Sequence, residues 1–244
     1  MKHLDLFSGI GGFALACKWV GIETIGFVEI DKFCQQVLNK NFPNISIVGD
    51  IKDVKEDTFS RPVDIITGGF PCQPFSTAGK RRGSEDDRYL WPAMLNVIKE
   101  YKPTWILGEN VTGIITMAFH QVLSDLENIG YETQAFIIPA CAVDAMHKRD
   151  RVWFISHTQQ NGSIMHNGTL GNQKTEILGG EEQLSPRVEV GDCNWWLPEP
   201  SVGRVVDGIP SKLDKDRVGA LGNAIVPQIA YQILKGIKEY DRRN

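Results

Sequence analysis

Short apolar runs alternate with amphipathic segments through residues 1–156, and this alternation constrains the fold more than any other feature. Seven apolar runs predict β-strands, over residues 3–7, 24–29, 45–48, 63–67, 104–108, 133–138 and 152–156. Four segments between them carry apolar residues at three- and four-residue spacing and predict helices, over residues 12–20, 31–41, 91–101 and 114–128. Strand–helix alternation predicts an α/β fold with a parallel sheet and helices on both of its faces.

Residues 157–210 differ from the chain on either side in both texture and charge. They hold three basic and seven acidic residues, which accounts for the whole formal net charge of −4. The first part is rich in Gly, Asn and Gln and has no sustained period. We predict a small inserted region over 157–210, with 1–156 and 211–244 forming one main domain. Residues 227–240 predict a last amphipathic helix, begun by proline at a tolerated first-turn position.

Composition argues against several classes of protein. With 42% apolar and 23% charged residues the chain is typical of globular proteins, and no apolar run approaches the ~20 residues of a membrane span. An acidic residue at position 5 comes too early for a signal peptide. Five cysteines without a CxxC pair argue against a disulfide framework or a metal site, and favour a reducing cytoplasm. The acidic balance argues mildly against non-specific coating of nucleic acid.

Ligands of parallel α/β sheets bind beyond the carboxyl ends of the strands, so the residues that follow each strand are the candidates for function. The first strand leads into Phe7-Ser8-Gly9-Ile10-Gly11-Gly12, where glycines let the backbone approach a ligand. Glu29 ends the second strand and could accept both hydroxyls of a ribose. A helix N-terminal charge is the simpler interpretation of Glu29, although Asp31 could serve that purpose equally well. With Asp50 after the third strand, the pattern favours a nucleoside-containing cofactor.

The fourth strand ends in Gly68-Gly69-Phe70-Pro71-Cys72-Gln73-Pro74. A lone cysteine is usually a small buried hydrophobe, but one held between two prolines at a strand end is poorly explained by packing. As a thiolate, Cys72 would be a nucleophile. The next residues, 79–88, have loop composition and four cations. They predict either a solvated loop or a lid that contacts phosphates.

An acid and two arginines complete the set of candidates. Glu109 follows the fifth strand, where burial could keep its carboxyl protonated and able to give a proton to a ring nitrogen. Arg149 and Arg151 precede the last strand of the main domain. Alternate residues of an extended chain face the same side, so both guanidinium groups could point into one cleft and bind a base carbonyl or a phosphate. Taken alone, the two arginines would more often form surface ion pairs.

These residues, in this order, resemble the C5-specific DNA cytosine methyltransferases over most of residues 3–156 and 196–240. The segment that begins at Asp5 resembles the family's S-adenosylmethionine loop, and Pro71-Cys72-Gln73 resembles its nucleophile motif. Glu109-Asn110-Val111 resembles its acid motif. Residues 147, 149 and 151 fall on its Gln-x-Arg-x-Arg motif, with His147 in place of Gln. Gly222-Asn223-Ala224 resembles the late motif that completes the cofactor pocket.

The resemblance implies a Rossmann-like methyltransferase sheet with a small target-recognition lobe at 157–210, and methyl transfer to C5 of a flipped-out cytosine in duplex DNA. It assigns catalysis to Cys72, Glu109, Arg149 and Arg151. It assigns S-adenosylmethionine binding to Phe7, Gly9, Gly11, Gly12, Glu29, Ile30, Asp50, Ile51, Leu90, Asn223 and Ala224. It assigns DNA contacts to Ser76, Lys80, Arg81 and Arg82. Cys72 would attack C6 of the cytosine while Glu109 protonates N3, and no metal is implied.

Other interpretations stay open at this point. The same chemistry could act on RNA, since one branch of the family methylates cytosine in tRNA, or the chain could be an inactive relative that binds cofactor and nucleic acid. A dehydrogenase is set aside because the glycine spacing is not G-x-G-x-x-G. We expect a monomer in the cytoplasm, or in a host cell's cytoplasm if the chain is phage-derived, without a membrane partner. The sequence leaves open a partner restriction endonuclease. The small recognition lobe predicts a short target or weak specificity.

Overall fold

The computed structural model describes residues 1–71, 89–158 and 211–243. Seven strands lie in this part of the chain: β1 Lys2–Leu6, β2 Glu23–Val28, β3 Ser46–Val48, β4 Ile65–Gly68, β5 Trp105–Val111, β6 Tyr131–Ile138 and β7 Arg151–Thr158. The six α-helices of the same residues are α1 Gly12–Val20, α2 Lys32–Asn41, α3 Trp91–Tyr101, α4 Phe119–Asn128, α5 Ser211–Asn223 and α6 Pro227–Asp241. The predicted α/β architecture is confirmed.

The seven strands form one sheet in the order β3-β2-β1-β4-β5-β7-β6. The strands from β3 to β5 pair in parallel, whereas β7 is antiparallel to both β5 and β6. The prediction of an all-parallel sheet is therefore wrong at one edge. Only 12 residues, 139–150, connect β6 to β7, and neighbouring strands joined without a crossover helix pair antiparallel.

The central strands β1, β4 and β5 are buried on both faces, as their apolar sequences predict, whereas the edge strand β6 is mostly exposed. Neighbouring residues of one strand point to opposite faces, so Ile66 and Phe154 pack with α3 and α4 while Ile65 and Trp153 pack with α1 and α6. A further group of buried residues joins α2 to the end of the sheet through Phe27 and Leu38. Helices thus cover both faces of the central strands. The carboxyl ends of these strands are left open for a ligand.

Two helices differ from their predictions. The predicted helix 114–128 begins only at Phe119, because residues Thr112–Ile114 form a 3-10 turn and Ala118 has an extended φ of −148°. Helix α5 was not predicted at all. Its residues 211–223 are mostly polar and include Gly219 and Gly222, so they lack an apolar stripe and carry two residues of low helix propensity.

The inserted region stays a prediction. The strand β7 continues to Thr158, two residues beyond its predicted end, and 159–210 lie outside the described residues. Among the residues that the structure describes, no helix is both long and apolar enough to cross a membrane.

Candidate active site

A cavity of about 560 Å³ lies at the edge of the sheet where β1, β2, β4 and β5 end. It is the edge at which the sequence predicts a ligand. Eleven of the sequence-predicted site residues line it: Phe7, Gly9, Glu29, Ile30, Asp50, Ile51, Leu90, Glu109, Arg149, Arg151 and Asn223. One cavity therefore brings together most of the candidates for cofactor binding and three of those for catalysis, Glu109, Arg149 and Arg151.

The glycine loop follows β1 and turns sharply into α1. Gly9 and Gly11 have φ angles of +53° and +87°, in the left-handed region that glycine adopts at low cost. Gly11 and Gly12 do not line the cavity. A Cβ at Gly11 would lie 2.8 Å from the Phe42 ring, and one at Gly12 would lie 2.6 Å from Cγ1 of Ile225. These two glycines permit close packing behind the loop.

Glu29 joins the glycine loop to the start of α2. Its Oε2 accepts the Gly9 N–H at 2.6 Å, and its Oε1 accepts the Asp31 N–H at 2.8 Å. The side chain of Asp31 accepts the N–H of Cys34 and caps α2, so the helix N-terminus does not need Glu29. Burial raises the pKa of Glu29, and the two N–H groups oppose that shift by favouring the carboxylate.

Apolar side chains stand beside Glu29 on the cavity wall. Ile30 is 70% exposed in spite of its size, whereas Ile51 is buried, and Leu90 at the start of α3 is half-buried. Asp50 accepts the N–H of Lys52 at 2.9 Å. An exposed isoleucine next to carboxylates matches a ligand with a flat apolar ring and polar substituents, such as a nucleoside.

Glu109 lies near the end of β5 with only 8% of its surface exposed. Its Oε1 lies 3.1 Å from Nε of Arg151. Burial raises the pKa of Glu109 to about 7, although the charges of Arg151 and Arg149 act to lower it. Near neutral pH this carboxyl group is therefore divided between its protonated and ionised forms, as a general acid requires.

The reversed direction of β7 brings the arginines to this edge. Arg151 is the first residue of β7 and pairs with Val111 at the end of β5, which places its side chain diagonally across from Glu109. Arg149 lies outside the strand with a φ of 38°, so the prediction that both arginines lie on one extended chain is wrong. Both nevertheless line the cavity. Nη2 of Arg149 donates to the carbonyl oxygens of Gly222 and Ala224, each at 2.8 Å.

Asn110 is a polar residue of the site to which the sequence assigned no role. It is 5% exposed, and its Nδ2 donates to the carbonyl oxygen of Phe70 at 3.0 Å. Because Phe70 comes two residues before Cys72, this bond fixes the chain just ahead of the predicted nucleophile. The sequence signal that could have identified it is an amide directly after an acid at the end of a buried strand.

Four more points complete the account of the site. Cys72, Ser76, Lys80, Arg81 and Arg82 lie outside the described residues. Ala224 contributes its carbonyl oxygen to Arg149 and does not line the cavity. Lys215 and Asp216 do line it and were missed, because α5 was not predicted. In the described residues no group of three or more His, Cys, Asp or Glu could hold a metal ion.

Comparison with families of known proteins finds one matching family model, described as C-5 cytosine-specific DNA methylase, over residues 1–187. Among curated proteins, the type II methyltransferase M.NgoFVII of Neisseria gonorrhoeae is 31% identical over 204 residues. That match covers 81% of this chain and 54% of the relative. The type II methyltransferase M.HhaI of Haemophilus parahaemolyticus is 34% identical over 160 residues, covering 64% of this chain and 48% of the relative. The chain thus spans about half the length of these relatives.

Solved structures give the same picture for the fold. The S. pombe Dnmt2 methyltransferase matches with a TM-score of 0.56 and 25% identity, over 67% of this chain and 53% of that one. A putative DNA modification methyltransferase encoded within an E. coli prophage matches with a TM-score of 0.56 and 26% identity, over 65% of this chain and 47% of that one. The fold is therefore the Rossmann-like methyltransferase sheet that the resemblance implies.

Proposed function

We propose, because the chain belongs to the family of C-5 cytosine-specific DNA methylases, that it transfers a methyl group from S-adenosylmethionine to C5 of a cytosine in duplex DNA. One observation carries the proposal beyond family membership. The buried Glu109, with a pKa of about 7 and an arginine 3.1 Å away, shares one cavity with the glycine loop and Glu29. A proton donor and a nucleoside site thus stand side by side.

The cofactor half of the cavity fits S-adenosylmethionine, which supplies an electrophilic methyl group. Each carboxylate oxygen of Glu29 accepts one N–H and has a further lone pair, so it can also accept a ribose hydroxyl. The exposed Ile30 offers an apolar surface to the adenine ring. Asp50 on the same wall would accept from the exocyclic adenine amine.

The chemistry on the cytosine is assigned to three side chains. We propose that the Cys72 thiolate adds to C6 while Glu109 gives its proton to N3, because cytosine C5 becomes nucleophilic only after this addition. C5 would then take the methyl group, with the electron pair of the broken S–C bond staying on the sulfur of the cofactor. A base would remove the C5 proton, Cys72 would leave as a thiolate, and N3 would return its proton to Glu109. Arg151 holds Oε1 of Glu109, which leaves Oε2 for the ring nitrogen. A Cβ at Gly69 would lie 3.5 Å from that Oε2, so glycine keeps this side of the carboxyl group open.

Burial of Glu109 also supports base flipping. A carboxyl group with 8% of its surface exposed cannot reach a cytosine that is stacked inside a duplex. We therefore propose that the target nucleotide rotates out of the helix into the cavity, at a cost of a few kcal/mol for unstacking and unpairing. Residues 76–88 are the proposed clamp on the opened site.

Methyl transfer from labelled S-adenosylmethionine to duplex DNA and to tRNA tests the proposal directly. We expect label on DNA alone. Label on tRNA alone would support the RNA alternative, and label on neither would support an inactive binder. Either result contradicts the proposal.

Two cysteine variants test the proposed nucleophile. Cys72→Ala should abolish transfer and keep cofactor affinity, whereas Cys141→Ala is a matched control because Cys141 is an exposed free cysteine that does not line the cavity. We expect Cys141→Ala to transfer methyl groups at the rate of the unchanged protein. Loss of cofactor binding in Cys72→Ala would instead indicate a structural role for Cys72.

A further inference from the structure

The Arg149 side chain fastens the end of α5 to the start of β7. Its Nη2 carries two N–H groups, and both are used, one on the Gly222 carbonyl and one on the Ala224 carbonyl. These two carbonyl groups flank Asn223, which is the last residue of α5 and lines the cavity. The last carbonyls of a helix have no partner within it, so a cation here satisfies acceptors that would otherwise need one.

The segment that Arg149 holds packs against the glycine loop. Ile225 follows it directly, and Cγ1 of Ile225 occupies the space in which a Cβ at Gly12 would lie, 2.6 Å away. Gly12 begins α1 immediately after the loop whose Gly9 N–H donates to Glu29. The segment from Gly222 to Ile225 is therefore built against the cofactor loop on one side and Arg149 on the other.

We propose that Arg149 is a positioning residue for the cofactor, which holds the carbonyl groups of the residues before and after Asn223 so that Asn223 faces bound S-adenosylmethionine. The inference rests on the proposed function, since the cavity must be the cofactor's. It separates the two arginines, because Arg151 contacts Glu109 whereas Arg149 acts through Asn223. The resemblance alone assigns both of them to the cytosine.

The backbone at Arg149 supports a specific placement of this side chain. A φ of 38° is left-handed, and a residue with a Cβ adopts it only where surrounding contacts fix it. The planar guanidinium directs its two Nη2 N–H groups at a fixed angle, which matches two carbonyl oxygens that flank one residue. A lysine ammonium keeps the charge but not this planar geometry, so it is an incomplete replacement.

A double-mutant cycle between Arg149 and Asn223 tests the inference, with S-adenosylmethionine affinity measured by calorimetry and stability by thermal unfolding. Arg149→Met removes the donors and keeps an unbranched stem. We expect it to weaken cofactor binding about tenfold, as loss of a charge-assisted hydrogen bond would. Asn223→Ala should weaken cofactor binding by a similar factor. The double variant should bind the cofactor no more weakly than whichever single variant binds it less well. Arg149→Lys should bind with an affinity between those of Arg149→Met and the unchanged protein.

The control variant is Arg151→Met, which should keep cofactor affinity within about twofold and lower methyl transfer, because Arg151 contacts Glu109. The inference is overturned if Arg149→Met binds S-adenosylmethionine normally, whatever its stability, or if the two single effects add. If Arg149→Met does not fold, Arg149→Lys replaces it in the cycle under the same criteria. Failure of the unchanged protein to bind S-adenosylmethionine would reject the proposed function itself.

Discussion

Glu29 and Glu109 are carboxyl groups at the same edge of one sheet, with 9% and 8% of their surfaces exposed, yet their partners differ. Glu29 accepts two backbone N–H groups, from Gly9 and Asp31. Glu109 faces the guanidinium of Arg151, and burial raises its pKa to about 7. The two N–H groups bind both carboxylate oxygens of Glu29 as acceptors, whereas at Glu109 burial outweighs the charge of Arg151, so that this carboxyl group can exchange a proton near neutral pH.

The difference follows from the topology of the two halves of the sheet. In the parallel half, the loop after β1 and the start of α2 both present N–H groups at the carboxyl ends of the strands. In the other half, the antiparallel β7 brings its first residue, Arg151, to the same edge. We propose that the parallel half of this edge binds the cofactor through hydrogen bonds and that the antiparallel half supplies the charged groups for the chemistry.

Of the changes at the two carboxyl groups, Glu109→Gln should have the largest effect, because it keeps the shape of the side chain and removes its proton exchange. We expect the rate of methyl transfer to fall about 10²–10⁴-fold, the usual contribution of a general acid. Cofactor affinity should stay within about twofold, because Glu29 and its partners are unchanged. Single-turnover transfer and calorimetry measure the two quantities. A variant that loses cofactor binding instead would remove the distinction between the two carboxyl groups.

The dependence of stability on pH should also differ between Glu109→Gln and the unchanged protein. The pKa of Glu109 rises from 4.5 to about 7 on folding, so its protonated form is favoured in the fold. The stabilising contribution of protonated Glu109 to the folded state is fully present below pH 4.5 and is lost as the pH rises through 7. Relative to the unchanged protein, the Gln variant should therefore gain about 3 kcal/mol of unfolding free energy between pH 4 and pH 8. Denaturant unfolding at several pH values measures it. Parallel profiles for the two proteins would contradict the raised pKa.

Glu29→Gln is the reciprocal change in the other half of the sheet. An amide keeps one acceptor but meets the N–H groups of Gly9 and Asp31 with a donor at its other end, so one buried hydrogen bond is lost. We expect cofactor affinity to fall about tenfold or more. Transfer at saturating cofactor should change much less than it does in Glu109→Gln. Calorimetry with S-adenosylmethionine is the measurement, and unchanged affinity would place the cofactor elsewhere.

A pair of glycine substitutions should give the smallest effects. A Cβ at Gly12 would overlap Ile225, so Gly12→Ala should lower the unfolding free energy by about 1–3 kcal/mol through overpacking. Gly236 in α6 has open space around it, and Gly236→Ala should raise the unfolding free energy by up to about 1 kcal/mol through helix propensity. Denaturant unfolding compares the two. Equal effects would mean that Gly12 is not a packing position.

Much of this architecture could be predicted from the sequence. Local apolar patterns set the strands and most helices, and α1 and α3 have their predicted bounds. Polar residues after the strands identify the walls of the cavity, because parallel strands end at one edge. The family motifs then gave the chemistry that such residues could perform.

The parts that could not be predicted depend on contacts between distant residues. Hydrophobic periodicity does not encode the direction of β7, and α5 has no apolar stripe to reveal it. The partners of Arg149 lie more than 70 residues away in the chain. The sequence could therefore place Arg149 near the cavity, but its bonds to Gly222 and Ala224 needed the three-dimensional structure.

The measurement that tests the central claim most directly is the reaction with a duplex in which 5-fluorocytosine replaces the target cytosine. Fluorine at C5 cannot leave as a proton does, so the methylated base should stay bonded through C6 to the protein. With S-adenosylmethionine present, we predict a covalent protein–DNA adduct that mass spectrometry maps to Cys72, and none in Cys72→Ala. An adduct at another residue, or methylation of ordinary cytosine without any trapped adduct, would contradict the account.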